Sequence, residues 1–269
     1  IVPFAMGQDL EFLAGEGPKL SPRLLDTTLD TLARVPERLS PIYETVGLVK
    51  KALGSDKTLL GFAGSPWTVA TYMIQGEGSR DQHDARAMAY RDPGAVGELL
   101  DTIVAVTVEY LAGQIAAGAE AVQLFDSWAG ALRPEHYRDF VLPHATKVLS
   151  AMDDLGVPKI HFGITTGELL DQIAAAGADV VGVDWRTRLA DARQRTGGAV
   201  ALQGNLDPAL LLAPWSVLQD EVRRVLADNN GHPGHIFNLG HGVLPQVDPD
   251  QLLRVVELVH AEGRTDGAS

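Results

Sequence analysis

The chain has 269 residues, of which 45% are apolar and 21% charged, and a formal net charge of −13. That is enough for one large α/β barrel or two ordinary domains with a real core. The acidity argues against a nucleic-acid surface, which needs a basic face, although a few Arg residues in a cleft could still hold an anionic ligand.

The chain has no cysteine. This excludes disulfides, thiolate nucleophiles and Cys-ligated zinc, and fits a reducing, cytoplasmic setting. No run approaches the roughly 18 apolar residues of a membrane span, so no membrane partner is expected. No signal-peptide pattern is present, and the chain opens on Ile1-Val2-Pro3 without an initiator Met, so residues are expected upstream.

In chain order, residues 1–20 read as a strand exit followed by a Gly/Pro loop. Helices are expected over 22–34 and 40–53, the second with Ser40 as N-cap, Pro41 at the first helical position and Gly54 as C-cap. Residues 58–62 form a short apolar strand, and Ser65-Pro66 opens a helix that carries Tyr72. Helical pattern returns over 82–90 and 94–117, then a strand over 121–125 ends in Asp126-Ser127-Trp128. A helix is expected over 134–155, a strand over 159–162 and a helix over 168–177. Strands 179–183 and 199–203 alternate with helices 188–195 and 215–229. The strand 235–239 runs into Gly240-His241-Gly242, and helix 249–262 follows.

The rhythm of strand, exit loop and helix repeats six times, without a linker or charge run to divide it. It predicts one α/β domain over 1–269 with a parallel sheet and right-handed crossovers. Six strands do not close an eight-stranded barrel. A (β/α)8 TIM barrel therefore expects strands 3–8 here and two further units of roughly 30 residues before Ile1, with residues 1–3 ending strand two. An open doubly wound sheet is the alternative. No G-x-G-x-x-G or Walker loop supports it at any strand–helix turn.

In parallel α/β proteins the site lies at the carboxyl ends of the strands. That leaves a short set of candidates. His241, between two glycines at a strand exit, could bond a carboxylate or relay a proton, or could be a structural His. Asp126, Asp184 and Asp207 could build a magnesium site, or could cap turns and pair with Arg. Ser127 has no neighbouring base in sequence, so a hydrogen-bonding role is expected. Gly61 to Trp67 would bring backbone N–H groups close to an anion, with Tyr72 either donating its hydroxyl or packing as a core aromatic. Lys57 and Lys159 stand at strand entrances, which disfavours Schiff-base chemistry.

These stretches carry a specific resemblance. AMGQDLEF at 5–12 with GEGP at 15–18, GFAGSPWTVATYMIQGEGS at 61–79, AVQLFDSWAG at 121–130, VVGVDW at 180–185, LQGNLDP at 202–208 and NLGHGVLPQVDP at 238–249 are similar to the uroporphyrinogen decarboxylase family, in the family's order. The resemblance implies a (β/α)8 barrel, usually a homodimer, with no cofactor and no metal. It implies removal of CO2 from the four acetate side chains of uroporphyrinogen III to give coproporphyrinogen III. It places Tyr72, Ser127 and His241 around the substrate's carboxylates and ring edge, and Phe62 and Phe125 along its cleft.

The family's central aspartate is expected immediately before Ile1, and its Arg motif earlier still. A chain that truly began at Ile1 would be expected to lack decarboxylase activity and to leave the barrel incomplete. Three alternatives stand beside the decarboxylase: a barrel that binds a tetrapyrrole without turning it over, a magnesium-dependent carboxylate enzyme, and a related methyltransferase. The methyltransferases of this fold use Cys-ligated zinc, which this chain cannot build in that way.

Overall fold

The computed structural model describes residues 1–13, 17–79 and 81–263. Residues 15–16 of the GEGP stretch lie outside them.

The N-terminal stretch differs from expectation. Residues 2–5 form a helical turn, α1 (Val2–Ala5), rather than a strand end. Pro3 sits in its first turn, and the N–H groups of Ala5 and Met6 reach back to the carbonyls of Ile1 and Val2, both at 3.0 Å. Where a loop was expected, β1 (Asp9–Leu13) and β2 (Gly17–Ser21) pair as an antiparallel hairpin.

The expected helix 22–34 is reduced to a 3-10 turn at Leu29–Thr31. The N–H groups of Leu24 and Leu25 are taken by the carbonyls of Met73 and Ile74, at 3.0 and 3.3 Å, so they do not build a helical ladder. Asp26 is held by Arg23, and the Thr31 hydroxyl donates to the Thr28 carbonyl. Such short polar side chains compete with helical bonding.

From there the alternation is as expected. After α2 (Ser40–Ala52) come β3 (Leu60–Gly64), α3 (Pro66–Gln75), α4 (His83–Arg91) and α5 (Pro93–Ala116). Next are β4 (Ala121–Asp126), α6 (Pro134–His136) and α7 (Leu142–Ser150). β5 (Lys159–Gly163), α8 (Leu170–Ala175), β6 (Val180–Gly182) and α9 (Leu189–Arg195) follow. β7 (Ala201–Leu206), α10 (Trp215–Asn229), β8 (His235–Leu239) and α11 (Pro249–Glu262) complete the order.

Local chemistry sets several boundaries. Ser40 is the first residue of α2 rather than its cap, and the helix ends at an extended Leu53 rather than at Gly54. Asp92 caps α5 through a 3.0 Å bond from the Ala95 N–H, with Pro93 in the first turn. The expected helix 134–155 is broken by a π turn at Tyr137–Val141. Pro143, which has no N–H to give the ladder, stands two residues past its end, in the first turn of α7.

α5 is long and apolar enough, by length and composition, to cross a membrane, which the sequence reading had not expected of any segment. Val96, Leu99, Leu100, Ile103 and Leu111 on it are buried in the core, so its apolar surface already faces protein.

The six strands β3 to β8 form one parallel sheet whose spatial order is their order in sequence. A doubly wound sheet would reverse direction at a switch point, and this one does not. The sheet also curls. In a flat sheet β5 and β8 would stand about 14 Å apart, three strand spacings, yet the rings of Phe162 and His241 lie 6.4 Å apart. The main core packs helices such as α3, α5 and α7 on the sheet's outer face around Trp67, Met73, Ile103 and Leu149. A second cluster of Leu206, Leu211, Leu218, Val222 and Val255 holds α10 and α11 to β7.

Candidate active site

Strand alternation divides the exits between two layers. On β4 and at the residue just past it, Gln123, Phe125 and Ser127 line a cavity of about 440 Å³ on the inner face. Val122, Leu124 and Asp126 point the opposite way and are buried under the helices. On β5, Phe162 faces inward and His161 outward. The cavity is completed by Gln203, Asn238, Leu239, His241, Gly242 and Val243.

Its floor is a row of rings. Phe62 meets Phe125 edge-on at 5.9 Å, and Phe125 meets Phe162 at 5.9 Å in direct register across β4 and β5. Phe162 is 6.4 Å from the imidazole of His241, which is 6.3 Å from the ring of Trp185. Edge-to-face contacts at these distances are favourable beyond the area they bury.

Two glycines allow the row. A Cβ on Gly182 would lie 2.7 Å from Cδ2 of Phe162, so only glycine lets that ring lie across β6. A Cβ on Gly240 would lie 2.4 Å from the backbone N of Trp185, so the β6 and β8 exits touch only because residue 240 has no side chain. Gln203 donates to Gln123 at 3.3 Å, a polar pair within an otherwise aromatic floor.

Ser127 and His241 thus share one cavity with Phe125. Phe62 is exposed at the outer end of the ring row, on β3. Tyr72 does not line this cavity. Its ring sits 6.0 Å from that of Trp128, and burial raises its hydroxyl above the ordinary value of 10.0.

The three aspartates have separate local partners. Asp126 accepts from the Thr68 hydroxyl at 3.0 Å and lies 3.7 Å from Nε2 of His161, both residues being inaccessible to solvent. The Tyr137 hydroxyl is raised well above its ordinary value by burial and by the charge of Asp126. Asp184 ties two exits together: it accepts from the Thr165 N–H, from the Arg186 N–H at 2.8 Å and from the Arg186 guanidinium at 3.3 Å. Asp207 caps the following turn by accepting from the Ala209 N–H at 2.9 Å. Among the described residues no group of three carboxylate or imidazole ligands converges. The entrance lysines are likewise paired, Lys57 with Asp56 and the buried Lys159 with Asp153.

A cavity of about 580 Å³ lies beyond Trp185 and Arg186, against α10. Its cations are occupied: Arg188 pairs with Asp228, and Arg224 with Glu221 at 2.6 Å. A third, of about 450 Å³, adjoins the central cavity at Ser127 and is lined also by Arg86 of α4. A strand-exit filter could not have found Arg86, because it stands on a helix. Gln123 was missed because it lies mid-strand. A polar residue alternating with Phe125 and Ser127 in a buried strand was the available signal.

The sequence profile of the family described as Uroporphyrinogen decarboxylase (URO-D) matches residues 1–262. The chain is 52% identical to the uroporphyrinogen decarboxylase of Novosphingobium aromaticivorans, over 95% of this chain and 76% of that protein. It is 49% identical to the uroporphyrinogen decarboxylase of Salinispora tropica, over 97% of this chain and 71% of that one. Among solved structures, a methyltransferase from Methanosarcina mazei superposes with a TM-score of 0.80 at 17% identity, covering 97% of this chain and 77% of that chain. That likeness establishes the shared TIM-barrel-like fold.

Proposed function

The chain belongs to the uroporphyrinogen decarboxylase family, and we propose that its central cavity is where uroporphyrinogen III loses the carboxylates of its four acetate side chains. The product is coproporphyrinogen III, in porphyrin biosynthesis. The observation that carries this reading is the ring-floored 440 Å³ cavity at the strand exits, with Ser127 and His241 on its polar side.

In the reaction a pyrrole ring is protonated at the α carbon next to the one bearing the acetate, which leaves the acetate-bearing carbon conjugated to the cationic ring nitrogen. The bond between the methylene and its carboxylate then breaks, the electron pair passes into the cationic ring, and CO2 leaves. The methylene carbon is reprotonated, which makes it a methyl group, and the ring carbon gives up the proton it took, restoring the aromatic pyrrole. The substrate supplies its own electron sink, so the protein's contribution is orientation and electrostatics. Phe62, Phe125 and Phe162 offer an apolar face against which a pyrrole can lie. Ser127 and His241 offer hydrogen bonds to carboxylates or the ring edge, and Tyr72 is assigned the same role from the side, beyond Trp128. No residue in this set is given the part of general acid.

We further assign one barrel domain, a homodimer in the cytoplasm. The cysteine-free composition supports that compartment, and a sedimentation measurement tests the dimer. The activity is tested by incubating the full-length protein with uroporphyrinogen III under anaerobic conditions and separating the products by carboxylate number. Successive hepta-, hexa-, penta- and tetracarboxylates are expected, and their absence refutes the reading.

A further inference from the structure

Ser127 belongs to two cavities. One is the central cavity of about 440 Å³, and the other a side cavity of about 450 Å³ lined by Asp81, Arg86, Trp128, Ile164 and Thr165 among others. The side cavity therefore begins where a ligand seated on the ring floor would project its substituents. Its back wall is tightly built. A Cβ on Gly130 would lie 2.4 Å from the Ile164 carbonyl oxygen, so the β4 and β5 exits are pressed together there.

Arg86 is the cation of this side cavity. It is half-buried, and its Nε is shielded from solvent without a hydrogen-bond partner. Among the described residues its side chain makes no ion pair. The other arginines at the exits differ: Arg186 is held by Asp184, and Arg195 by Glu168. A shielded guanidinium N–H without a partner is costly, and the planar fork matches a carboxylate.

We propose that Arg86 receives a peripheral carboxylate of the tetrapyrrole, reaching past Ser127 into the side cavity, and that this carboxylate is one the reaction retains. The proposal rests on the assignment of the central cavity as the tetrapyrrole site. The second part follows from energetics. Pairing with a guanidinium stabilises the ionised carboxylate in the ground state, and CO2 can leave only as that charge passes into the ring. An interaction stronger in the ground state than in the transition state slows the step. Arg86 is thus suited to hold a side chain that stays, and unsuited to the acetate being lost. Asp81, exposed on the same cavity, opposes the anion and limits how tightly it is held.

The test uses coproporphyrin III, a stable tetracarboxylate carrying only the retained carboxylates. Its binding to the full-length protein is measured by titration, beside turnover of uroporphyrinogen III. Arg86→Gln is expected to weaken coproporphyrin binding and to raise KM by about tenfold or more, the scale of a hydrogen-bonded charge pair, with kcat within about twofold. Arg86→Lys restores part of the loss, since a point charge replaces a fork. Asp81→Asn acts in the opposite direction and tightens binding, which keeps the test open should Arg86→Gln fail to fold. Unchanged binding by Arg86→Gln, weaker binding by Asp81→Asn, or no binding by the wild type overturns the proposal. A fall in kcat with KM unchanged also overturns it, because Arg86 would then act on the chemical step. Binding that responds as expected, in a wild-type protein that yields no products, instead overturns the decarboxylase reading and leaves this site standing.

Discussion

Gly182→Ala tests whether the ring row is held by backbone packing. Gly182 stands directly opposite Phe162 in the β5–β6 register. An added Cβ would lie 2.7 Å from Cδ2, 2.8 Å from Cβ and 3.1 Å from Cγ of Phe162. The ring must retreat by about 0.7 Å to regain an ordinary contact, and rotation about χ1 cannot move the Cβ, so β5 itself must shift. Overpacking of this kind costs about 1–3 kcal/mol. The shift also displaces Phe162 against Phe125 and His241, and a misplacement near 1 Å can lower turnover by as much as about 100-fold. Urea unfolding gives the first quantity and uroporphyrinogen turnover the second. Gly97→Ala, in the interior of α5 with no atom within 4 Å of its new Cβ, is the control and should stabilise by up to about 1 kcal/mol. In a Phe162→Gly background, which removes both the ring and the Cβ, the cost of Gly182→Ala should fall, with a coupling of about 0.5 kcal/mol or more. A cost equal in both backgrounds refutes the idea that residue 182 is glycine to make room for that ring.

Three further outcomes are expected. Thr68→Val removes the 3.0 Å hydroxyl bond to the buried Asp126 carboxylate and should cost about 1–3 kcal/mol, read from the urea midpoint. His235, whose ring nitrogen lies 2.8 Å from the Gly204 carbonyl, is held below its ordinary value of 6.5 by burial first. The unfolded chain therefore takes up the proton sooner, so this contribution to stability is complete above about pH 6.5 and is lost as the pH falls below it. Thermal unfolding from pH 7.5 to 5 should show a shallower slope in His235→Gln, with a remainder from His144, which burial shifts the same way. Ser127→Ala and His241→Asn should each lower kcat/KM for uroporphyrinogen III by about tenfold, and two unaffected variants would remove both residues from the site.

The barrel half of the fold was legible because its signal is repetitive. Six apolar runs, each followed by small polar residues and a helix, leave few topologies, and the observed strands fall within about three residues of the expected ones. The N-terminal stretch was not legible for a physical reason. Leu24 and Leu25 read as helical by pattern, but their N–H groups bond to α3, some fifty residues away, and tertiary partners of that kind leave no local trace. The break before α7 was legible, since Pro143 stands inside the run expected to be one helix.

The candidate site shows where strand exits stop being informative. Asp126 and Ser127 are neighbours at the same exit, and residue type alone favours the carboxylate as the chemical group. Strand parity decides otherwise. Gln123, Phe125 and Ser127 fall on the inner face with the ring row, whereas Asp126 falls on the outer face, among Thr68, His161 and Tyr137. A one-residue slip of β4 would exchange the two sets. What fixes the parity is the outer core: Val122 and Leu124 are 1% exposed beneath the helices, and turning them inward would strip them of those contacts. The buried Asp126 can then be understood as part of what holds Ser127 in place. Its carboxylate is bonded by Thr68, whose hydroxyl oxygen also accepts from the Trp128 N–H at 3.3 Å. The residues on either side of Ser127 are thereby tied to one side chain of α3, and the inner face inherits its geometry from the outer one.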